Sequence, residues 1–277
     1  MIKDVLVHLK LGEGPDTAAD YAVSMAAALG AQLTGVAISF EIDVPHVYTE
    51  AFSTDFIDLQ RAENRRLSAQ ATARFEEAAR SMGVVADIRV IDGTLGGAAE
   101  QIATMARLYD LTVISQADPG RMGTEEVVTE AVLFDSGRAV LLVPLDQAHP
   151  YSGARVMVAW DGGRAAARAV SEARPFLSRA SLVEAVVVAS AKHKNDDLPG
   201  ADLARHLARH EKNVELRRLV PGHDEGIVDV LLKEIAEREI DLMVMGGYGH
   251  SRLREFVLGG VTRDMLERMS VPLLMAH

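Results

Sequence analysis

The chain has 277 residues, of which 48% are hydrophobic and 25% are charged, and this composition excludes a disordered, collagen-like or low-complexity protein. It contains no cysteine, so disulfides, thiolate metal sites and thiol nucleophiles are excluded together. The net charge of -11 argues against a nucleic-acid partner, because a protein that binds nucleic acid needs a basic surface facing the phosphates.

The sequence offers no obvious membrane segment. No stretch approaches the ~20 consecutive apolar residues that a membrane-spanning helix needs, and the first residues lead directly into a strand pattern. We therefore predict a soluble cytoplasmic protein with no membrane partner.

Short runs of valine, isoleucine and leucine alternate with longer helical patterns along the chain, which is typical of a parallel sheet covered on both faces. Ten strands are predicted, at residues 3–9, 33–39, 84–91, 111–115, 139–143, 154–160, 182–189, 214–220, 241–246 and 271–276. A long charged helix is predicted over 55–82, with Gly83 at its C-terminal cap. The Pro- and Gly-containing segment Gln147–Gly153 indicates a boundary between two domains, 1–148 and 152–277.

The two halves are copies of one pattern. The matching segments are Asp4–Lys10 with Arg155–Asp161, and Asp110–Ser115 with Asp241–Gly246. The first pair is offset by 151 residues and the second by 131. The first copy therefore carries about 20 extra residues, roughly from Ile42 to Arg61, and repeats of this kind indicate duplicated structural units.

The copies differ in charge. Residues 1–150 contain 11 basic and 22 acidic side chains, whereas residues 151–277 contain 18 of each. The whole net negative charge therefore lies in the first half. An anionic ligand such as a phosphate is expected to bind more favourably in the second half.

The strongest local pattern follows the ninth predicted strand. Glycines at 246, 249 and 259 give the spacing G-x2-G-x9-G ahead of a helix predicted from Gly260 to Met269. Glycines there let the backbone approach a phosphate, and a helix start presents unpaired N–H donors and the positive end of the helix dipole. The pattern indicates an anion-binding loop. The alternative is an ordinary strand-to-helix turn with solvated basic residues.

Together with Val-Ala-Trp-Asp161-Gly at a strand end and the closing Val-Pro-Leu-Leu run, this segment resembles the universal stress protein family in a tandem two-domain form. The resemblance covers nearly the whole chain and is specific in the second copy. It implies two tandem, doubly wound, parallel five-stranded sheets of order 3-2-1-4-5 and Rossmann-like topology. Strands one and four would be neighbours, so Asp161 and the 246–260 loop would face each other across one crevice.

The resemblance also implies a ligand and its contacts. In nucleotide-binding members of the family, the aspartate after strand one and the end of strand two contact adenosine, and the glycine loop holds the phosphates. The positions implied here for ATP or AMP are Ala159, Asp161, Val188, Met245, Gly246, Gly249, Gly259, Gly260 and Thr262. The first three would frame the base and ribose, and the glycines and threonine would line the phosphate path.

The sequence departs from the family pattern in two places. Gly260 stands where the family has Ser or Thr, so one hydroxyl contact is missing, which typically is worth ~0.5–1.5 kcal/mol. In the first copy, the matching positions hold Lys10, Ser115, Asp118, Val127 and Val128. We therefore expect no nucleotide in the first copy, which would act as a pseudo-symmetric scaffold for the second.

Three other patterns are weaker. Gly12 and Gly14 follow a strand as in a dinucleotide fingerprint, but the third glycine is absent, and Gly14-Pro15 indicates a turn with proline at the first helical position. His206 and His210 have the i, i+4 spacing of a metal pair, but without the glutamate of H-E-x-x-H a solvated helix face is favoured. The G-x4-G-K-[S/T] phosphate loop is absent. No metal site and no catalytic residue are predicted.

The sequence therefore predicts an adenine-nucleotide sensor or adaptor of the stress-protein type. Two alternatives stay open, a nucleotide-free member that acts only through protein contacts, and a slow ATP hydrolase. A protein partner and a homodimer of tandem chains also stay open.

The repeat predicts how the halves assemble. Two similar domains on one chain can pair about a pseudo-two-fold axis, as the subunits of a homodimer do. Their last strands, 139–143 and 271–276, are short and apolar, and the implied order places them at sheet edges, where unpaired backbone needs covering. We therefore expect the halves to pack closely through these strands.

Overall fold

The computed structural model describes residues 1–12, 14–40, 54–118, 123–147, 149–189, 200–211, 213–247 and 260–277. The strands in these residues are β1 Asp4–His8, β2 Gln32–Phe40, β3 Ala86–Gly93, β4 Leu111–Ser115, β5 Val140–Val143, β6 Arg155–Ala159, β7 Leu182–Val188, β8 Val214–Leu219, β9 Leu242–Gly246 and β10 Leu273–Ala276. The helices are α1 Thr17–Leu29, α2 Thr54–Ser81, α3 Leu95–Ala106, α4 Thr124–Asp135, α5 Arg164–Leu177, α6 Ala201–Leu207, α7 Ile227–Glu237 and α8 Gly260–Arg268. None of these helices combines the length and apolar composition that crossing a bilayer requires.

All ten strands form one continuous sheet in the order β3-β2-β1-β4-β5-β10-β9-β6-β7-β8. Each half therefore has the order 3-2-1-4-5 that was expected, and every pair within a half is parallel. The two sheets meet where β5 and β10 pair antiparallel, with Leu141 opposite Leu274. The predicted contact through the last strands is confirmed, and it joins the two predicted sheets into one. The domain boundary proposed near residue 150 lies between β5 and β6 and stays a prediction.

The sheet is covered on both faces, which explains the continuous apolar runs of its strands. In β6, Val156 and Val158 point into a cluster with α1, α2, α5 and α6, whereas Met157 points into a cluster with α3, α4, α7 and α8. Side chains alternate between the two faces of a strand, so a strand buried on both faces must be apolar at successive positions. Every residue of β4 is buried in this way.

The ends of the helices agree only in part with the sequence analysis. Gly83 follows α2 with a φ of +67°, as its predicted role as a cap requires. The start of α1 is different, because Asp16 is the N-cap and its carboxylate accepts hydrogen bonds from the backbone N–H of Lys10 (2.8 Å) and Ala19 (3.1 Å). Pro15 therefore precedes the cap, and its predicted place as the first helical residue is wrong.

The extra residues of the first copy are placed in part. Residues 42–53 of the predicted insertion lie outside the described residues. Residues 54–61 form the beginning of α2, which has 28 residues, whereas the described helix at the corresponding place in the second half, α6, has 7. The two halves therefore share a strand order but differ beside their outer strands.

The antiparallel junction brings each half against the last helix of the other. Gln116 follows β4 and is only 8% exposed, and its side-chain amide donates to the carbonyl oxygens of Leu266 (2.8 Å) and Glu267 (3.1 Å) in the last turn of α8. Its side-chain oxygen accepts from the backbone N–H of Leu145 (3.2 Å). One first-half side chain therefore holds the C-terminal end of a second-half helix whose other end begins at Gly260.

We predict that Gln116→Ala lowers the free energy of unfolding by about 1–3 kcal/mol, because it removes partners from backbone groups that are then left unsatisfied at a buried junction. The measurement is urea unfolding of the full chain. Gln147→Ala is the matched control, since the Gln147 amide donates only to His149, two residues away in the connector. Equal unfolding midpoints for the two variants would show that the Gln116 bonds do not support the junction.

Candidate nucleotide-binding site

The candidate site lies at the carboxyl ends of β6 and β9. These strands are neighbours, and Ala159 at the end of β6 pairs with Met245. After β6 the chain enters α5 on one face of the sheet, whereas the next described helix after β9 is α8, which packs on the other face. The chain therefore diverges at a topological switch point, where open α/β sheets bind their ligands.

Asp161 follows β6 and shapes the turn into α5. One carboxylate oxygen accepts a hydrogen bond from the backbone N–H of Gly163 (2.7 Å), and Gly162 between them has a φ of +75°. The residue is exposed, and its second oxygen has no hydrogen-bond partner in the part of the chain that the structure describes. That oxygen is available to accept hydrogen bonds from the hydroxyl groups of a ligand.

Gly246 is a glycine for a reason that the sequence analysis missed. A Cβ atom at this position would lie 2.4 Å from the backbone nitrogen of Ala166 and 2.7 Å from the carbonyl carbon of Ala165. The first turn of α5 therefore packs directly on the end of β9. The absence of a side chain is explained by this contact between helix and strand, whether or not a phosphate also approaches.

The next residue, Gly247, connects the site to the first half. Its N–H donates to the carbonyl oxygen of Ala276 (2.9 Å), and its own carbonyl oxygen lies 3.1 Å from Nδ1 of His277. The His277 ring packs edge-on against the ring of Phe134 in α4, with centroids 4.9 Å apart. Sequence reasoning missed His277 and Phe134. The repeat offers one signal, because Gly247 matches Gln116 at the offset of 131 residues.

The remaining predicted residues are less closely grouped. Val188 ends β7 beside β6 and is half-buried. Gly260 is the exposed first residue of α8, and no described atom lies within 4 Å of a Cβ built there, whereas Thr262 is buried. Gly249 and Gly259 lie outside the described residues. The structure thus brings Ala159, Met245 and Gly246 together with Asp161 just beyond them, and no described contact joins Gly260 or Thr262 to Asp161.

The equivalent place in the first half has a different chemistry. His8 stands where the second half has Ala159, and burial lowers the pKa of its imidazole to about 4, so the ring is neutral at pH 7. Lys10 matches Asp161, and the hydroxyl of Ser115, which matches Gly246, donates to the carbonyl oxygen of Gln116 (3.4 Å). The carboxylate and the glycine of the second-half site are therefore both replaced.

The described residues also bear on the histidine pair. The rings of His206 and His210 lie edge to face, with centroids 5.4 Å apart, on an exposed surface of α6 and the turn after it. No group of three or more histidine, aspartate or glutamate side chains within the described ranges could hold a metal ion.

Two glycines at this site provide a matched pair for a stability test. We predict that Gly246→Ala lowers the free energy of unfolding by ~1–3 kcal/mol or more, because the added methyl group overlaps backbone atoms that cannot move independently. Gly260→Ala should leave stability unchanged or raise it slightly, since alanine favours the helix and its Cβ meets no atom of the described ranges within 4 Å. Thermal or urea unfolding measures both. Equal losses at the two positions would contradict the packing of α5 against β9.

The comparisons with known proteins agree with this fold. Residues 154–277 match the model of the universal stress protein family. A universal stress protein from Synechocystis is 30% identical over 126 residues, which are 43% of this chain and 41% of that protein. The match therefore spans less than half the length of this relative.

One solved structure extends the likeness of fold to both halves. The alignment with the structure of a universal stress protein from Archaeoglobus fulgidus covers 99% of this chain and 97% of that protein's chain, with 17% identity and a TM-score of 0.73. The alignment with the structure of a universal stress protein in complex with cAMP covers 51% of this chain and 97% of that protein's chain, with 19% identity and a TM-score of 0.36. Residues 154–277 thus form a domain of the universal stress protein family, and the fold of the whole chain is similar to that of a solved universal stress protein.

Proposed function

We propose that the second half binds an adenine nucleotide, ATP or AMP, at the carboxyl ends of β6 and β9, and that the chain serves the stress response as a nucleotide-dependent adaptor. The observation that carries this proposal is the exposed carboxylate of Asp161, oriented by Gly163 at the switch point of the half that matches the family. Ribose hydroxyls are the natural donors to such a carboxylate.

Shape and charge support the same arrangement. Ala159 and Val188 are half-buried apolar residues at the ends of adjacent strands, which suits the face of a purine base. Phosphates would extend towards the backbone that follows Gly246 and towards the exposed start of α8 at Gly260. The second half is electrically neutral, so it opposes a polyanion less than the acidic first half does.

The first half serves this site as a scaffold in the proposal. Gln116 holds the C-terminal end of α8, and Phe134 packs on His277 beside Gly247. Nucleotide binding at the start of α8 would therefore affect the junction between the halves, where the surface available to a protein partner can change. We propose binding without turnover, so the bound ATP acts as a signal and is not a substrate.

Asp161 provides the direct test. We predict that Asp161→Ala weakens ATP and AMP binding about 10- to 100-fold, since a hydrogen bond to a charged group contributes about 1.5–3 kcal/mol. Calorimetry with ATP, AMP and cAMP measures the affinities. Asp161→Asn keeps an acceptor for Gly163, and it should fold normally and bind with intermediate affinity. Asp202→Ala removes the same charge from an exposed position in α6 and should change nothing.

The outcomes separate the alternatives. Equal ATP affinity in wild type and Asp161→Ala would refute the assignment of Asp161. Absence of binding by the wild type would favour a member of the family that acts only through protein contacts. Release of phosphate from bound ATP, abolished together with binding by Asp161→Ala, would favour the slow hydrolase.

Gly260 provides the second test. The residue lies in helical backbone, and no atom of the described residues lies within 4 Å of a Cβ built there, so these residues leave room for a serine. We predict that Gly260→Ser tightens ATP binding about 2- to 10-fold, because it restores the hydroxyl that the family pattern has here. Gly260→Ala is the control, since it adds the same Cβ without the hydroxyl. Identical affinities for the serine and alanine variants would place the phosphates elsewhere.

A further inference from the structure

We propose that the first half carries a separate ligand site, a small cleft at the carboxyl ends of β2 and β3 that binds a phosphate monoester. The cleft has a volume of about 200 Å³ and is lined by Ser39, Phe40, Arg61, Arg65 and Asp92. Pockets for drug-sized ligands typically measure ~300–1,000 Å³, so this cleft suits a phosphate group with a short chain and is too small for a nucleotide.

The walls of the cleft are fixed by strand pairing and by helix contacts. Ser39 on β2 lies directly opposite Asp92 on β3 in the sheet register. The side chain of Asn64 on α2 donates to the carbonyl oxygen of Phe40 (2.7 Å), and the hydroxyl of Ser68 donates to that of Ile38 (3.1 Å). These two bonds hold α2 over the end of β2, so the cleft is built on rigid elements.

Two arginines from α2 line this cleft, and neither is firmly paired. Arg61 and Arg65 are one helical turn apart and therefore lie on the same side of α2. The carboxylate of Asp58 is 3.9 Å from Arg61, at the outer limit of an ion pair, and within the described ranges no carboxylate lies within 4.0 Å of Arg65. By contrast, Arg80 in the same helix is ion-paired with Glu77.

This convergence of guanidinium groups indicates the class of ligand. The first half has 22 acidic and 11 basic side chains, so two arginines that line one cleft stand out against its acidic average. Arginine binds phosphate through two parallel N–H donors, and two arginines can neutralise a phosphate dianion. The chemistry of Arg61 and Arg65 is therefore that of a phosphate clamp.

The other polar residues limit what the phosphate carries. Ser39 is 4% exposed, and its hydroxyl can donate to the phosphate or accept from the ligand. Asp92 is an exposed carboxylate, which repels a second anionic group but accepts hydrogen bonds from hydroxyl groups. The cleft thus favours a monophosphate with a hydroxyl on a short chain over a diphosphate or a dicarboxylate.

The cleft is distinct from the proposed nucleotide site. Because β5 and β10 are antiparallel, the carboxyl ends of the first-half strands and those of the second-half strands lie at opposite ends of the sheet. Arg61 also lies at the end of the extra residues of the first copy, to which no described segment of the second half corresponds. The cleft therefore does not depend on nucleotide binding by the second half.

The test is a calorimetric titration of the full chain with inorganic phosphate and with glycerol 3-phosphate. We expect saturable binding of glycerol 3-phosphate that is at least tenfold weaker in Arg61→Gln and in Arg65→Gln. Arg80→Gln removes the same charge from the same helix and should bind as the wild type does. Asp92→Asn should bind inorganic phosphate more tightly, because one opposing charge is gone. Urea unfolding confirms that each variant is folded.

Several results would overturn the proposal. These are the absence of saturable binding by the wild type, an equal loss of affinity in Arg80→Gln, and tighter binding of glycerate than of glycerol 3-phosphate. The first would show that the cleft is not a site, the second that only overall charge matters, and the third that the ligand is a carboxylate. ATP affinity, measured in parallel, should be the same in Arg65→Gln as in the wild type, so this test stands apart from that of Asp161.

Discussion

The antiparallel pairing of β5 with β10 is the constraint on which the rest of the structure depends. Both strands are completely buried, and each would otherwise leave a row of apolar side chains and unpaired backbone groups at the edge of a five-stranded sheet. Their pairing removes both edges at once. It also fixes the relative direction of the halves, which puts α8 against Gln116 and α4 against His277.

This direction separates the two candidate sites. The switch point at β6 and β9 opens at one end of the sheet, and the arginine cleft at β2 and β3 opens at the other. The average charge of its half suits only one of the two candidate sites. The candidate nucleotide site lies in the neutral half, whereas the cleft concentrates arginines within the acidic half. A local cluster can thus oppose the average charge of its domain, because screening limits charges to a range of about 8–10 Å.

Local patterns allowed the strands to be predicted, because valine and isoleucine runs mark doubly buried strands directly, whereas the strand order was implied by the resemblance to a family. All ten strands lie within two residues of their predicted bounds. What was missed depends on contacts between distant residues. The bonds from Gln116 to α8 join residues 150 positions apart, and the reason for Gly246 is the approach of α5. The cleft likewise depends on the register of Ser39 with Asp92, which composition and spacing do not encode.

A junction between two strands of the same chain forms at a high effective concentration, so it persists at dilutions where two separate subunits would part. Because the two sides of this junction are different segments of one chain, the sequence of each side can also change independently of the other. Gln116 occupies one side of the junction between the halves. The matching residue on the other side is Gly247, and a Cβ atom there would lie only 3.0 Å from a side-chain carbon of Leu133. Two identical subunits would have to place the same side chain on both sides, and a single chain does not have this requirement.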